Sequence, residues 1–423
     1  MDNSGPTYSS SEIKNITTTG YDVYVYGVGD SYSGVNTVRF PTWTQYNGND
    51  DIASNWSANS ATLGTNQGSG TWYFRVNRSA HNNEFGLYDT HIYLYDNLGN
   101  YTTIVKASNN VPGTVSYNAN GGSVSTTSKQ IFRGSAYGTM PVPTRTGYTF
   151  NGWYTAASGG SKVESTTTVT SVTDHTLYAQ WTINTYTITF NGNGGTSTTK
   201  TGTYGSTITL PTSTWTQYVF NGWYTASGET SGSQITSLTA TQNITYYAHW
   251  VQIPKIYYNA HITNIGWQGN KYNGATSGTI GQSLPIQCIR VYYYYDYTNW
   301  QSGVRIEYVV AVENGKLYPS GLPWGTQSPS AASNGADCGT TGQNLAIKNI
   351  YIAIKDTDTG KDSKYFDVWY ESHVANRGWL SWTRNGWCAG DGINQQEAFK
   401  VVIKEKGNIN PDGNSTYTEA VGQ

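Results

Sequence analysis

The chain has 423 residues and a net charge of −2; 12% of residues are charged and 14% aromatic, with 36 Tyr and 15 Trp against 2 Met. That length exceeds one hydrophobic core and predicts roughly three or four domains of about 100–150 residues. The near-neutral charge supplies no footprint for nucleic acid or an anionic membrane. No apolar run approaches the roughly 20 residues that span a bilayer.

Gly, Ser, Thr and Asn fill most of the remaining positions. Aromatic and β-branched residues favour pleated surfaces, and Gly and Asn favour tight turns. No segment sustains a helical apolar period, so an all-β protein is expected. The start, "MDNSGPTYSS", lacks the basic and apolar stretches of a secretory signal and reads as the beginning of a piece of a longer protein. Cys288, Cys338 and Cys388 are the three cysteines. An odd count leaves at least one thiol free, and no pair has metal-ligand spacing.

In chain order, residues 11–111 come first. "YDVYVYGV" from Tyr21 alternates as a strand does, "VNTVRFPTW" gives a second strand, and "GTWYFRVNRSAHNNEFGLYDTHIYLYDNLGN" gives two more, closed by a glycine turn. Short strands at this spacing predict a β-sandwich of about 90 residues. Asp50, Asp51, His81 and His91 resemble a metal or catalytic set only superficially; loop capping is the plainer reading, with a calcium held by Asp50 and Asp51 as the sharper one. "VRFPTWTQYNGNDD" and "HNNEFGLYDTHIYLYDNLG" resemble the group B streptococcal Bsp-like repeat, which implies a non-catalytic module of bacterial surface proteins.

Residues 112–182 and 183–252 repeat one another at a period of about 69 residues. "GYTFNGWYTAASGG" from Gly147 returns as "YVFNGWYTASGETSG" from Tyr218, and "LYAQW" returns as "YYAHW". In each "FNGW" the Asn-Gly pair marks a turn or bulge between two large aromatics. A unit of about 65 residues needs such rings to fill its core, so Trp153, Trp181, Trp223 and Trp250 are read as core anchors. These units resemble the Listeria–Bacteroides repeat. That resemblance implies a small α+β, β-grasp module serving as a stalk or spacer on bacterial surface proteins. The second copy carries Gln217 where glycine is usual.

Residues 255–407 hold three imperfect units, followed by a tail at 408–423. They align on "NGATSGTIGQSLPIQCIRV", "NGADCGTTGQNLAIKNIYI" and "NGWCAGDGINQQEAFKVVI". "AHITNIGW" and "SHVANRGW" precede the first and third; the second lacks both His and Gly-Trp. The pattern resembles the clostridial hydrophobic repeat with its tryptophan, which implies extracellular bacterial proteins acting in adhesion or polymer binding. Three β units of about 45–50 residues predict a pseudo-threefold domain, trefoil or prism-like. Cys338 and Cys388 fall in adjacent aligned columns, so a disulfide is geometrically allowed if those loops meet. "DTDTGKD" at Asp356 reads as a hairpin turn, since it lacks the glycine register and closing glutamate of a calcium loop.

The candidate ligand-binding residues are Trp267, Trp324, Trp379, Trp382, Trp387, His261 and His373. "GWLSWTRNGW" crowds three indoles into nine residues. Aromatic faces stack on sugar C–H surfaces while His, Asn and Gln fix hydroxyls. For Trp267, Trp379 and both His residues a packing role competes with this one. No nucleophile, acid/base pair, phosphate loop or metal motif stands out, so an enzyme is not expected and no cofactor is required. The expectation is a monomeric, secreted or wall-attached adhesin fragment of a Gram-positive bacterium that binds an extracellular glycan. A binder of a host protein such as mucin or immunoglobulin is the alternative, since interfaces also favour Trp and Tyr. A ligand-free stalk is the third reading.

Overall fold

The computed structural model describes residues 2–46, 55–228, 230–294, 303–319, 322–323 and 331–413. They are all-β, with two 3₁₀ turns and no α-helix among them. The chain divides into two compact units, Met1–Thr185 with Thr203–Gly205, and Tyr186–Gly202 with Ser206–Gln423.

The first unit opens with β1 (Ser10–Thr17), β2 (Gly20–Tyr26), β3 (Val35–Arg39), β4 (Thr42–Thr44), β5 (Thr65–Gly68), β6 (Thr71–Asn77), β7 (Gly86–Asp96) and β8 (Tyr101–Val111). One sheet runs β1-β2-β6-β5; in the other, β7 pairs with β3 and β4 along one edge and β8 along the other. Strand alternation turns Tyr21, Val23, Val25, Trp72 and Phe74 from the first sheet, and Val38, Phe40, Tyr88, Ile92 and Leu94 from the second, into one core. The two sheets therefore sandwich a shared interior.

The first repeat follows with β9 (Gly113–Asn118), β10 (Ser128–Ile131), β11 (Tyr148–Tyr154), β12 (Lys162–Val163) and β13 (His175–Ile183), in the order β10-β9-β13-β11-β12. β9 and β13 are parallel and the other pairs antiparallel. The second repeat has β14 (Thr185–Asn191), β15 (Thr198–Thr203), β16 (Tyr218–Tyr224), β17 (Gln234–Ile235) and β18 (Ile244–Gln252), in the matching order β15-β14-β18-β16-β17. Among the described residues, the helix implied by an α+β module is absent from both repeats. The long connection from β10 to β11 carries Gly134, Pro141, Pro143 and Gly147, which stop a helix from propagating.

The shared phrase is a bulge. The register slips between Phe150 and Gly152 in the first repeat, and between Phe220 and Trp223 in the second. Residues three apart on a regular strand face opposite ways; one extra residue returns both rings to the same side. Trp153 and Trp223 are 2% and 1% exposed. Their indole N–H groups donate to the carbonyls of Pro141 at 2.8 Å and Pro211 at 2.7 Å. Trp181 and Trp250 donate to Ala119 at 3.0 Å and Gly192 at 2.8 Å. Trp153, Trp223 and Trp250 thus satisfy their one polar atom inside the core, and Trp181 does so half-buried at its edge.

Each repeat is joined to its outer neighbour. In the first unit, Phe85 of the sandwich sits in the repeat core, its N–H donates to Val172 O at 2.6 Å, and Arg78 pairs with Asp174 at 2.8 Å. In the second unit, Val219 belongs to the carboxy-terminal core, with Val251 and Ile253 packed against it.

The carboxy-terminal domain is built on three hairpins, Lys255–Ile262 with Ile286–Tyr294, Val304–Val312 with Ile347–Asp356, and Phe366–Val374 with Gln396–Glu405. Each unit lends a two-residue strand to another. Ser277–Gly278 pairs with the third hairpin, Cys338–Gly339 with the first, and Ala389–Gly390 with the second. This cyclic exchange closes one core from Tyr258, Tyr308, Tyr370 and the surrounding Ile and Val. The three tyrosines play one part: their hydroxyls donate to the carbonyls of Ala275, Ala336 and Trp387 in the Asn-Gly turns. At the exchanged strands a Cβ on Gly278, Gly339 or Gly390 would lie 2.2, 2.3 and 2.2 Å from a carbonyl oxygen across the pair, so only glycine fits.

All three cysteines are free thiols. Cys338 points its Sγ at the carbonyls of Tyr308 and Tyr318, and Cys388 points its own at Gly390 O. Each is engaged locally, so the disulfide allowed by the aligned columns does not form. "DTDTGKD" is a turn, closed by Gly360 N–H to Asp356 O at 2.9 Å and a Lys355–Asp362 pair.

Candidate functional site

The short strand after the first strand of each carboxy-terminal unit folds back on it, so that His261 faces Trp267, Ala311 faces Leu317 and His373 faces Trp379. In the first and third units this makes a three-part stack. The His261 ring meets Trp267 edge-on at 5.4 Å, and the Arg290 guanidinium lies 4.0 Å above the indole. His373 meets Trp379 at 5.4 Å, and the Lys400 ammonium lies 4.0 Å above it. A cation over the negative ring face is held there by the quadrupole. Arg290 is also paired with Asp337, and Lys400 with Glu371 at 2.7 Å. One face of each half-buried indole is therefore taken. In the second unit Ala311 and Leu317 replace the pair with plain apolar packing.

The polar surroundings of the third unit are the more highly charged. His373 Nδ1 lies 3.2 Å from Glu397 Oε2, and Arg377 pairs with Asp391 at 3.3 Å. Burial raises the Glu371 carboxyl, against the lowering pull of Lys400. Burial also acts to raise Asp391, but donors from Asn394, Ile393 and Arg377 outweigh it and hold that carboxyl below its ordinary value.

The predicted residues have different settings. Trp267 and Trp379 stand in separate stacks with His261 and His373. Trp382 is 5% exposed, whereas Trp387 is 48% exposed on an Asn-Gly turn. Trp324 lies outside the described residues, as do Asp50 and Asp51, on which the calcium reading rested. His81 is buried edge-on to Tyr88, and His91 packs against Trp43, so the two histidines serve different surroundings. Among the described residues the acidic oxygens that do converge are those of Asp2, Asp30 and Asp96. Asp30 accepts from the N–H groups of Tyr32, Ser33 and Gly34, and Asp96 from Leu98 and Asn100, which is loop capping.

Outward rings occupy the amino-terminal sandwich; of these the sequence singles out only His91, and not for its ring face. His91, Tyr93 and Tyr95 alternate with buried Ile92 and Leu94 on β7. The spacing in "HIYLYD" carries that signal, since every second residue faces one way.

Comparison with known families places three repeat types along the chain. Residues 114–180 and 186–249 match the Listeria-Bacteroides repeat domain, residues 10–109 the GBS Bsp-like repeat, and residues 261–293 the clostridial hydrophobic W repeat. These are repeat-module families rather than enzyme families. Among curated proteins, Internalin H of Listeria monocytogenes serovar 1/2a is 44% identical over 113 residues, covering 26% of this chain and 20% of the relative. Two Evansella cellulosilytica proteins described as membrane proteins, one of them Gly-rich, are 35% identical over 140 residues and 33% over 157. They cover 32% and 33% of this chain, and 21% and 18% of themselves. The chain thus spans about a fifth of the length of these relatives. Among the described residues no helix is long and apolar enough to cross a membrane.

Proposed function

We propose that the chain is a non-catalytic part of a secreted or wall-attached bacterial adhesin, acting outside the cell and binding a glycan through aromatic side chains. The observation that carries this reading is the combination of three surface-protein repeat types with exposed or half-exposed rings that the cores do not use, Trp387 foremost. Sugar rings present flat C–H faces and hydroxyls. An indole plate beside His, Asn and acidic groups answers both needs. The repeat sheets, with two parallel strands at the centre, support a β-grasp reading. The exchanged strands of the last domain support a prism-like closure. The likeness to Internalin H supports surface exposure and keeps a host protein as the rival ligand.

A glycan array probed with the full chain, run beside a pulldown of host surface proteins, separates the readings. Selective retention of glycans, with no change in their mass after incubation, is the expected outcome. Capture of one host protein with no glycan retained refutes the glycan reading, and a blank result in both arms reduces the chain to a stalk.

A further inference from the structure

Two outward sheet faces of the amino-terminal sandwich are rich in aromatic rings, and they are treated differently. On the β1-β2-β6 face, Tyr26 and Tyr73 spend their hydroxyls within the protein, and a cation covers the Tyr24 ring. Tyr26 donates to Glu12, Tyr73 donates to Asp22 at 3.0 Å, and Lys14 lies 5.5 Å above Tyr24. That face is largely internally satisfied.

The β7–β8 face is not. The strand register sets Tyr95 opposite Tyr101, Tyr93 opposite Thr103 and His91 opposite Val105. Across the other edge Arg39 lies opposite Tyr93, and Trp43 opposite Asp89. The rings form a continuous tract. Trp43 to His91 is 4.7 Å, His91 to Tyr93 6.5 Å, Tyr93 to Tyr95 6.5 Å and Tyr95 to Tyr101 5.6 Å. Trp56 lies against Tyr93 at 4.4 Å. The hydroxyls of Tyr93, Tyr95 and Tyr101 make no hydrogen bond among the described residues. Tyr101 is 58% exposed and Val105 65%.

The tract is also fixed in place. Arg39 reaches from β3 to the carbonyls of Trp56 at 3.4 Å and Asn59 at 2.7 Å, and to Thr62 Oγ1 at 3.3 Å. Those bonds hold the loop that carries Trp56 against the sheet. They also occupy the one outward cation among the described residues of the face, while Asp89 is engaged by Gln45 at 3.0 Å. Among the described residues the face is left with ring surfaces and unpaired hydroxyls but no unspent charge, a poor match for an anionic polymer.

We propose that this β7–β8 face is a stacking platform for a neutral polysaccharide chain, with Trp43, Trp56, Tyr93, Tyr95 and Tyr101 as the plates. Sugar C–H faces lie on the rings, and sugar hydroxyls bond the tyrosine hydroxyls and the His91 imidazole. The proposal rests on the glycan-binding reading above and deepens it by naming a site and a ligand charge class.

The test uses the full chain with chitin, cellulose and peptidoglycan as solid probes, and soluble chitin and cellulose oligosaccharides for titration. Tyr101→Ala and Trp56→Ala remove rings that no core contains, and thermal unfolding verifies that both variants fold. Retention of the parent chain by at least one neutral probe, weakened about tenfold or more in both variants, supports the platform. Equal retention of parent and variants overturns it and leaves the glycan reading intact, because the sugar then binds elsewhere. Binding restricted to acidic glycans also overturns the platform alone. Failure to retain any glycan overturns both.

Discussion

The Tyr365 hydroxyl donates to the Asn221 side-chain oxygen at 2.9 Å, tying the carboxy-terminal domain to the bulge of the second repeat. Around that bond Val219, Val251 and Ile253 enter or line the neighbouring core, and Ile253 N–H donates to Gln217 O at 2.9 Å. The matching residues of the first repeat are Thr149, Thr182 and Asn184, which bond among themselves and to Asn151. The same strand face is apolar where a domain covers it and polar where none does. Val219→Asp is therefore expected to destabilise the second unit by about 3 kcal/mol or more, through an unpaired buried charge. Thr149→Asp at the matching exposed position should stay within about 0.5 kcal/mol. Denaturant unfolding of the two full-length variants measures both; equal effects would show that the second repeat is not docked.

The bulge phrase makes its own demand. Trp153→Ala removes a ring that is 2% exposed and should cost about 3–5 kcal/mol. Trp153→Phe keeps most of the apolar contact but strands the Pro141 carbonyl, so a cost of about 1–3 kcal/mol is expected. Trp223 and Pro211 should repeat both results. Calorimetry of the four variants tests the equivalence, and a free substitution at either indole would contradict a core role.

Thiol chemistry offers an independent test of the carboxy-terminal core. Burial pushes the Cys288 thiol up to about 12 and raises Cys338 and Cys388 as well. Thiolate, the reactive form, is therefore scarce at neutral pH. The native chain should react slowly with an aromatic disulfide reagent at pH 8, and all three thiols should titrate after denaturation without reductant. Only one thiol appearing after denaturation would reveal a disulfide.

Acid should loosen the amino-terminal sandwich. Burial acts to raise Asp22, but donors from Asn15 at 2.7 Å, Arg75 at 3.1 Å and Tyr73 at 3.0 Å outweigh it and hold the carboxyl below the ordinary 3.8. A folded-state value below the unfolded one stabilises above that ordinary value, and the contribution disappears as pH falls through the depressed one. Asp22→Asn should cost about 1–2 kcal/mol at pH 7 and progressively less below pH 4. A pH-independent difference in melting would refute the assignment.

How far the sequence could be read depended on whether the pattern was local. "FNGW" written twice announced the bulge, and small-domain arithmetic made its indoles interior. Three aligned "NG…G" segments announced three units, although the exchange of their short strands needs partners far along the chain. The missing helix was also legible, in Pro141 and Pro143, yet family likeness argued the other way. What stayed hidden was mostly contextual. Trp382 and Trp387 look alike in "GWLSWTRNGW", and only packing makes one 5% and the other 48% exposed. "HIYLYD" marks two faces without saying which one meets solvent, and Val219 reads as an ordinary strand residue until its neighbour is in place.

The central claim divides the aromatic rings into interior anchors and outward plates. Oxidative footprinting of the full chain, with mass-spectrometric assignment and with or without the glycan retained on the array, tests that division most directly. The account predicts that Trp153, Trp223 and Trp250 stay unmodified throughout. Trp387 and the rings of the β7–β8 face should be modified in the free chain, and at least one of these outward sets should be protected by the glycan. Modification of the interior indoles at the rate of Trp387, or no protection of any outward ring, would contradict it.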